Sequence, residues 1–316
     1  MIKKTIPIKL ALAPMAGFTD KAMRQICQEL GADITWSEMV SAEGIFRNES
    51  KENKSLELGE KFNSQEKKYW VQIFGNNPES MAASAKMVQE EIKPTGIDIN
   101  LGCPVKKAQK AGYGAVQMGT IDEVVRIIKK IKKNTNLPLS LKTRLGFKNP
   151  DEILDFAPQL EKAGIDQLVI HARTLDGMFH AKPNWEVIKK LTTLLKIPII
   201  YNGGIKTPDD AKFYFDKTGC NTLMIGRAAI GNPWIFREIK KYFESGKFNL
   251  PTEEEKKKII LRHAELVKKY YGDRGFVTFR PQIAAYLKGH PRAAELRHKA
   301  VRINTLADVQ GILKEM

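Results

Sequence analysis

Only three cysteines stand in 316 residues, Cys27, Cys103 and Cys220, and no two of them form a CxxC pair. That spacing excludes a disulfide framework and, with only five histidines and no His cluster, argues against a zinc site. The expected compartment is a reducing cytoplasm. No apolar run is long enough to span a membrane, and the short one in the N-terminal "MIKKTIPIKLALAPMAG" is interrupted by prolines and a lysine. Negative charge is scarce too. Against 36 Asp+Glu stand 52 Lys+Arg, a formal +16. A small-molecule enzyme gains nothing obvious from such an excess, whereas a polyanionic partner explains it. A lysine-rich source proteome is the competing explanation.

What the chain does have is a succession of short apolar segments: "LALAP", "DITWSEM", "YWVQIFG", "GIDINLG", "LPLSLKTR", "DQLVIHA", "IPIIYNGG" and "TLMIGRA". They have the character of buried strands. Between them lie amphipathic stretches at 20–31, 78–92, 121–134, 150–163, 185–195 and 208–218, several opened by Asp, Asn or Pro. Eight strands with helical crossovers predict an α/β fold, a (β/α)8 TIM barrel. The polar segment 50–68 is expected to be a long loop over the barrel mouth or a small insertion. After "GNPWIFREIKKYFESGKFNLP" the strand rhythm stops and the remainder has a helical pattern. The expected organisation is a catalytic barrel over 1–249 and a C-terminal all-helical domain over 250–316. Residues 251–316 hold 14 Lys+Arg and 8 Asp+Glu, a net +6, which leaves +10 for the first 250. The tail is the more cationic part per residue, as a nucleic-acid arm would be.

In such a barrel the chemistry collects at the C-terminal strand ends. Here they read "APMAG", "SEM", "QIFG", "NLGCP", "KTRLG", "HART", "NGGI" and "GRAA". Asn202, Gly203 and Gly204 after the seventh strand and Gly226 with Arg227 after the eighth place permissive backbone and a guanidinium where barrels often hold a phosphate. Gln72, Lys142 and His171 follow strands three, five and six. They are compatible with a Schiff base, a phosphate site or a flavin, and the flavin is favoured. An amide can pair with a heterocycle's imide edge, and a cation can stabilise its anionic reduced form. Cys103 has three readings: a small core hydrophobe, a nucleophile lacking a nearby base, or a proton donor beside Lys106 and Lys107. Residue chemistry alone leaves all three open.

The ordered series "LAPMAGFTDKAMR", "VQIFG", "DINLGCPVKKAQKAGYGA", "LKTRLGF", "IHART", "YNGGI" and "IGRAAIGNPWIF" resembles the tRNA-dihydrouridine synthases, most of all their bacterial B-type branch. The match runs from Leu10 to Phe236, and "RPQIAAYLKGHPRAAELR" is similar to the family's tRNA-binding helical domain. The resemblance implies an FMN enzyme, reduced by NADPH or NADH, that saturates the C5=C6 bond of a tRNA uridine. The uridine is expected in the D-loop. On the matching positions, Cys103 is the proton donor to C5 and Asn100 holds the uracil edge. Pro14, Met15 and Ala16 line the flavin, and Gln72 and Lys142 contact its rings. His171, Asn202, Gly203, Gly204, Gly226 and Arg227 follow its ribityl chain and phosphate, and Arg173 approaches the RNA. Lys106, Lys107 and Lys110 are further candidates for the RNA backbone. No metal is implied, and a monomer is the working expectation.

Two stretches depart from the family pattern. Where relatives often carry an aromatic hydroxyl within "YSGKADW", this chain reads "MFHAKPNW", with Phe179 and His180. Pro281 and Gln282 stand where a Lys-His pair is usual. Two other functions compete with tRNA reduction: an FMN barrel of dihydroorotate dehydrogenase type acting on a free pyrimidine, and an RNA-binding barrel without turnover. The first leaves the basic tail without a purpose, and the second leaves Cys103 and the flavin set unexplained.

Overall fold

Aliphatic runs short enough for one strand and apolar at nearly every position are stable only where both faces are covered, which is the situation of a barrel strand wrapped by helices. The computed structural model describes residues 7–47 and 68–316. Its strands are β1 (Lys9–Leu12), β2 (Ile34–Trp36), β3 (Val40–Ser41), β4 (Tyr69–Phe74), β5 (Gly96–Leu101), β6 (Leu139–Arg144), β7 (Gln167–His171), β8 (Ile199–Asn202) and β9 (Thr222–Ile225). All pairings are parallel. β1 pairs with β2 on one side and β9 on the other, neighbours follow in sequence from β9 back to β4, and β2 pairs with β4 to close the ring. The eight expected strands form the closed barrel. The two-residue β3 lies outside the ring, paired to β4, and its pattern is too short to be legible.

The crossover helices are α1 (Lys21–Glu29), α2 (Ala42–Phe46), α3 (Pro78–Met87), α4 (Lys106–Lys110), α5 (Ile121–Asn134), α6 (Glu152–Ala163), α7 (Trp185–Leu194), α8 (Pro208–Thr218) and α9 (Ile235–Ser245). Their starts are chemically marked. Asp20, Asn77, Asn184 and Thr207 each accept a backbone N–H of the first turn. Residues 50–67 of the segment expected to cover the barrel mouth lie outside the described residues.

Alternation along the strands sorts their side chains into two sets. Leu10, Leu12, Val71, Ile73, Leu168, Ile170, Leu223 and Ile225 join the helices in the main core. Ala11, Ala13, Trp36, Trp70, Val169, Ile200 and Met224 form a separate cluster, with Trp36 and Trp70 stacked at 5.8 Å. That second set fills the barrel interior. Residues two or four positions further along the same faces are therefore aimed at the barrel mouth.

Four more helices follow: α10 (Glu253–Tyr271), α11 (Gly275–Tyr286), α12 (Ala293–Ala300) and α13 (Leu306–Glu315). Capping boxes at Thr252 with Glu255 and at Thr305 with Asp308 start α10 and α13. Their core, including Val267, Phe276, Phe279, Ile283, Leu296 and Ile312, also takes in Ala22 and Ile26 of α1 and Trp234. Arg262 donates to Glu29, and the Tyr271 hydroxyl accepts from the backbone N–H of Lys21. Gly231, after β9, abuts α11 so closely that a Cβ there would fall 2.4 Å from the Ala285 carbonyl carbon.

His263 of α10 is wholly buried, with Nδ1 2.9 Å from the Tyr286 hydroxyl and its ring edge-on to Phe279. Burial pushes its pKa down to about 3. The unfolded chain takes up a proton near pH 6.5 that the folded chain refuses, so His263 favours folding fully above pH 6.5 and less as pH falls toward 3. Wild type is expected to lose about 2 kcal/mol more than His263→Phe between pH 7.5 and pH 5. Denaturant unfolding at the two pH values measures this difference, and equal losses would reject the assignment.

Candidate active site

The mouth-facing positions are filled by polar groups: Gln72 on β4, Asp98 and Asn100 on β5, Lys142 and Arg144 on β6, His171 ending β7 and Asn202 ending β8. They are wired together. Gln72 donates through Nε2 to Asp98 Oδ2 at 2.6 Å, and its Oε1 accepts from Asn100 Nδ2 at 2.9 Å. Asn100 Oδ1 in turn accepts from the backbone N–H of Cys103 at 3.1 Å. A buried carboxylate thus orients two amides and, through them, the turn that carries the thiol. Burial raises the Asp98 pKa to about 6, against the opposing pull of Ser140, Gln72 and Lys142.

Lys142 Nζ donates to Asn202 Oδ1 at 3.1 Å, and Asn202 Nδ2 donates to the Met224 carbonyl at 2.8 Å. Burial lowers the Lys142 pKa to about 8, with Asp98 pulling it back up. His171 is held well below the usual histidine range by burial and then by Lys142, Arg144, Arg173 and Arg227. It is therefore neutral at physiological pH. Because guanidinium only donates, the 3.0 Å contact from Arg173 Nη1 makes His171 Nε2 the acceptor and leaves the proton on Nδ1.

The Cys103 turn leads into the short α4. The Cys103 carbonyl accepts from the Ala115 N–H at 3.1 Å, which folds the rest of the loop back against the turn. The thiol is half-buried. Val105, 53% exposed, and Phe179, 42% exposed, are apolar surfaces left open to the same cleft. The Phe179 ring lies under the Arg227 guanidinium at 4.2 Å and is 5.5 Å from that of Arg144.

These groups border one cavity of about 970 Å³. Cys103, Asn100, Gln72, Lys142, His171, Arg173, Asn202, Gly203, Gly204, Gly226, Arg227, Pro14, Met15 and Ala16 all line it, whereas Lys106, Lys107 and Lys110 stand exposed on α4 and do not. The sequence reading missed Arg144, Lys206, Trp234, Lys256, Tyr286 and Lys288, which line it as well. Spacing alone could have flagged Arg144, two residues beyond Lys142 on the same strand face. The lining carries seven Lys or Arg and not one Asp or Glu. Such a surface suits an anionic ligand. The residues also fit a phosphate-bearing group at the Gly203–Gly204 turn: a Cβ on Gly203 would stand 3.1 Å from the His171 ring, and one on Gly204 2.6 Å from the Tyr214 hydroxyl. The backbone there is bare because there is no room for a side chain.

Among the described residues no group of His, Cys, Asp and Glu is arranged to hold a metal, and no helix is long and apolar enough to cross a membrane.

A closed parallel barrel with a thiol and a carboxylate-free cationic cleft at its strand ends defines a TIM-barrel protein whose mouth is suited to an anionic ligand. Residues 11–315 match the family model of the dihydrouridine synthases (Dus), and the chain belongs to that family. It is 36% identical over 311 residues to a probable tRNA-dihydrouridine synthase of Aquifex aeolicus, covering 97% of this chain and 95% of that one. It is 37% identical to tRNA-dihydrouridine synthase B of Vibrio parahaemolyticus, covering 91% of this chain and 89% of the relative. The second likeness agrees with the B-type resemblance seen in the motifs. Among solved structures, a 2-naphthoyl-CoA reductase in complex with 2-naphthoyl-CoA superposes with a TM-score of 0.56 at 14% identity, over 76% of this chain and 50% of that one. That likeness is one of fold alone.

Proposed function

We propose that this protein reduces a uridine of tRNA to 5,6-dihydrouridine with a bound FMN that NADPH reduces. The observation that carries the reading is the cleft itself: one thiol, seven Lys or Arg and no carboxylate at the mouth of a barrel of this family. In this reading Asn202, Gly203, Gly204, Gly226, Arg227 and His171 hold the phosphate and ribityl end, Lys142 and Gln72 the ring system, and Pro14, Met15 and Ala16 its flank. Bound FMN supplies the hydride for uracil C6. Cys103 gives its proton to C5, and Asn100, already fixed on the Cys103 turn, holds the uracil edge. Arg173 lies on the RNA side.

A uridine stacked in folded tRNA must be turned out to reach such a cleft, which costs a few kcal/mol that backbone contacts offset. The helices from residue 250 onward act as the tRNA-binding domain, and the B-type likeness points to the D-loop. Lys206, Lys256 and Lys288, from three separate segments, all line the cavity. Replacing all three with alanine is expected to leave flavin bound while weakening tRNA binding and flattening the slope of log Kd against log salt by up to about 3. Titrations at several salt concentrations measure it, and an unchanged slope would remove these lysines from the RNA contact.

The deciding experiment incubates the protein with NADPH and tRNA lacking dihydrouridine, beside free uridine and orotate, and measures products by mass spectrometry. Dihydrouridine in tRNA alone is the expected result. Reduction of a free pyrimidine only would replace this reading with a free-pyrimidine reductase.

A further inference from the structure

Among the polar groups that point toward the mouth, Asp98 is the one carboxylate. It lies two residues before Asn100 on the inward face of β5, is wholly buried and does not border the cavity. Strand register sets Gln72 of β4 on one side of it and Ser140 of β6 on the other. Lys142 of β6 is the charged group that acts on it, while Gln72, Ser140 and Trp36 of β2 are neutral. A carboxylate is costly to keep in such a place, and its neighbours show what it does there.

An ionised carboxylate only accepts, and this fixes the sense of each bond beyond it. Gln72 turns Nε2 to Asp98 Oδ2, which leaves its Oε1 to accept from Asn100 Nδ2. Asn100 must then turn Oδ1 the other way, where it accepts from the backbone N–H of Cys103 at 3.1 Å and of Gly102 at 3.3 Å. With both amides reversed, Gln72 Oε1 would face a carboxylate oxygen and Asn100 Nδ2 would face two N–H groups. A neutral carboxyl or an asparagine at 98 has a donor of its own and no longer enforces the first of these exclusions. The carbonyl side of the same turn is held separately. Arg144 Nε donates to the Gly102 carbonyl at 3.0 Å, and its Nη1 donates to the carbonyls of Thr174 at 3.0 Å and Met178 at 3.1 Å. Releasing the N–H side therefore shifts the turn without detaching it.

We propose, resting on the reading above, that Asp98 is a positioning residue: its negative charge sets the donor–acceptor sense of the Gln72–Asn100 relay, so that the seating of the Cys103 turn depends on the ionisation of Asp98. Burial raises its pKa to about 6, so the relay is set at neutral pH and loosens as pH falls through that value. His171 is held well below this range and does not titrate with it. Asp20, which burial also raises to about 6, caps α1 and is no part of the relay.

The test reads the turn and the reaction together. Isotope labelling of cysteine alone gives the FMN-loaded protein three backbone amide signals by NMR, from Cys27, Cys103 and Cys220, and Cys103→Ala identifies the second. In wild type the Cys103 amide proton should move with a midpoint at about pH 6, and the single-turnover rate on tRNA should fall with the same midpoint. In Asp98→Asn the signal should stay near the wild-type acid position at every pH. Its rate at neutral pH should be about 10-fold or more below wild type, as for loss of one hydrogen bond to a charged group, with FMN retained and no limb near pH 6. A variant signal that matches neutral wild type, or a limb that survives in the variant, would overturn the proposal and leave Asp98 a packing role. If the variant does not fold, the wild-type titration decides, and a Cys103 amide that ignores pH across that range would overturn it. Absence of any dihydrouridine from wild type, with the amide titration intact, would instead defeat the underlying reading and leave the relay standing.

Discussion

Replacing Cys103 with alanine is expected to slow dihydrouridine formation by ~10²–10⁴-fold, the range for removing a general acid, while FMN stays bound and NADPH is still oxidised. The substitution removes only the sulfur. The turn is held by Asn100 Oδ1 at the Cys103 N–H and by the Ala115 N–H at the Cys103 carbonyl, and neither contact involves the side chain. Few groups in the cleft can take over the proton. His171 is neutral with Nε2 occupied by Arg173, and no carboxylic acid lines the cavity. Lys142, with its pKa near 8, is the remaining acid of useful strength, but it is committed to Asn202. Rapid-mix single turnovers, following reoxidation of the reduced flavin by tRNA, measure the step directly. Unchanged turnover would remove Cys103 from the mechanism.

The second large effect is expected at Gly204. Its φ is 75°, and a Cβ there would lie 2.6 Å from the Tyr214 hydroxyl and 2.7 Å from Pro183 Cγ. Alanine must strain the turn and push it away from Tyr214, which is itself stacked on Tyr201. A loss of about 3 kcal/mol of ligand-competent geometry corresponds to roughly 10²-fold weaker flavin binding. Gly219 is the matched control. Its φ is 74°, but a Cβ would meet nothing within 4 Å. Gly219→Ala shares the backbone strain without the clash and should keep its flavin. Flavin content after purification and equilibrium titration of the stripped proteins compare the two. Equal retention would show that the bare backbone at 204 does not build the phosphate end.

How much of this was legible in the sequence depended on how local the cause was. The strands were readable because burial on both faces leaves a continuous apolar run, and the strand ends because a polar residue or glycine breaks it. Gln72, Asn100, Lys142, His171 and Asn202 each sit at such a break. Arg144 did not stand out. Its spacing from Lys142 was on view in "LKTR", but the carbonyls at 102, 174 and 178 that satisfy its donors lie outside any such window. The same holds for Lys206, Lys256 and Lys288, which are ordinary lysines until folding brings α10 and the end of α11 to the barrel mouth. Gln72 shows the opposite limit. Its position was legible, but not its wiring to Asp98 and Asn100, because strand register decides which side chains stand level.

The grip of Arg144 on main-chain oxygens carries a consequence for how this protein can vary. Gly102, Thr174 and Met178 contribute only their carbonyls to that grip, and every amino acid has one. The side chains at 176 and 180 are therefore free of the brace that seats the cysteine turn, whereas Gly177, which has no room for a Cβ, Met178 at φ 45° and Phe179 beside the guanidinium are not. A library randomised at 176 and 180 should retain thiol placement, which makes those two positions the part of the loop that can drift without loss of the catalytic framework.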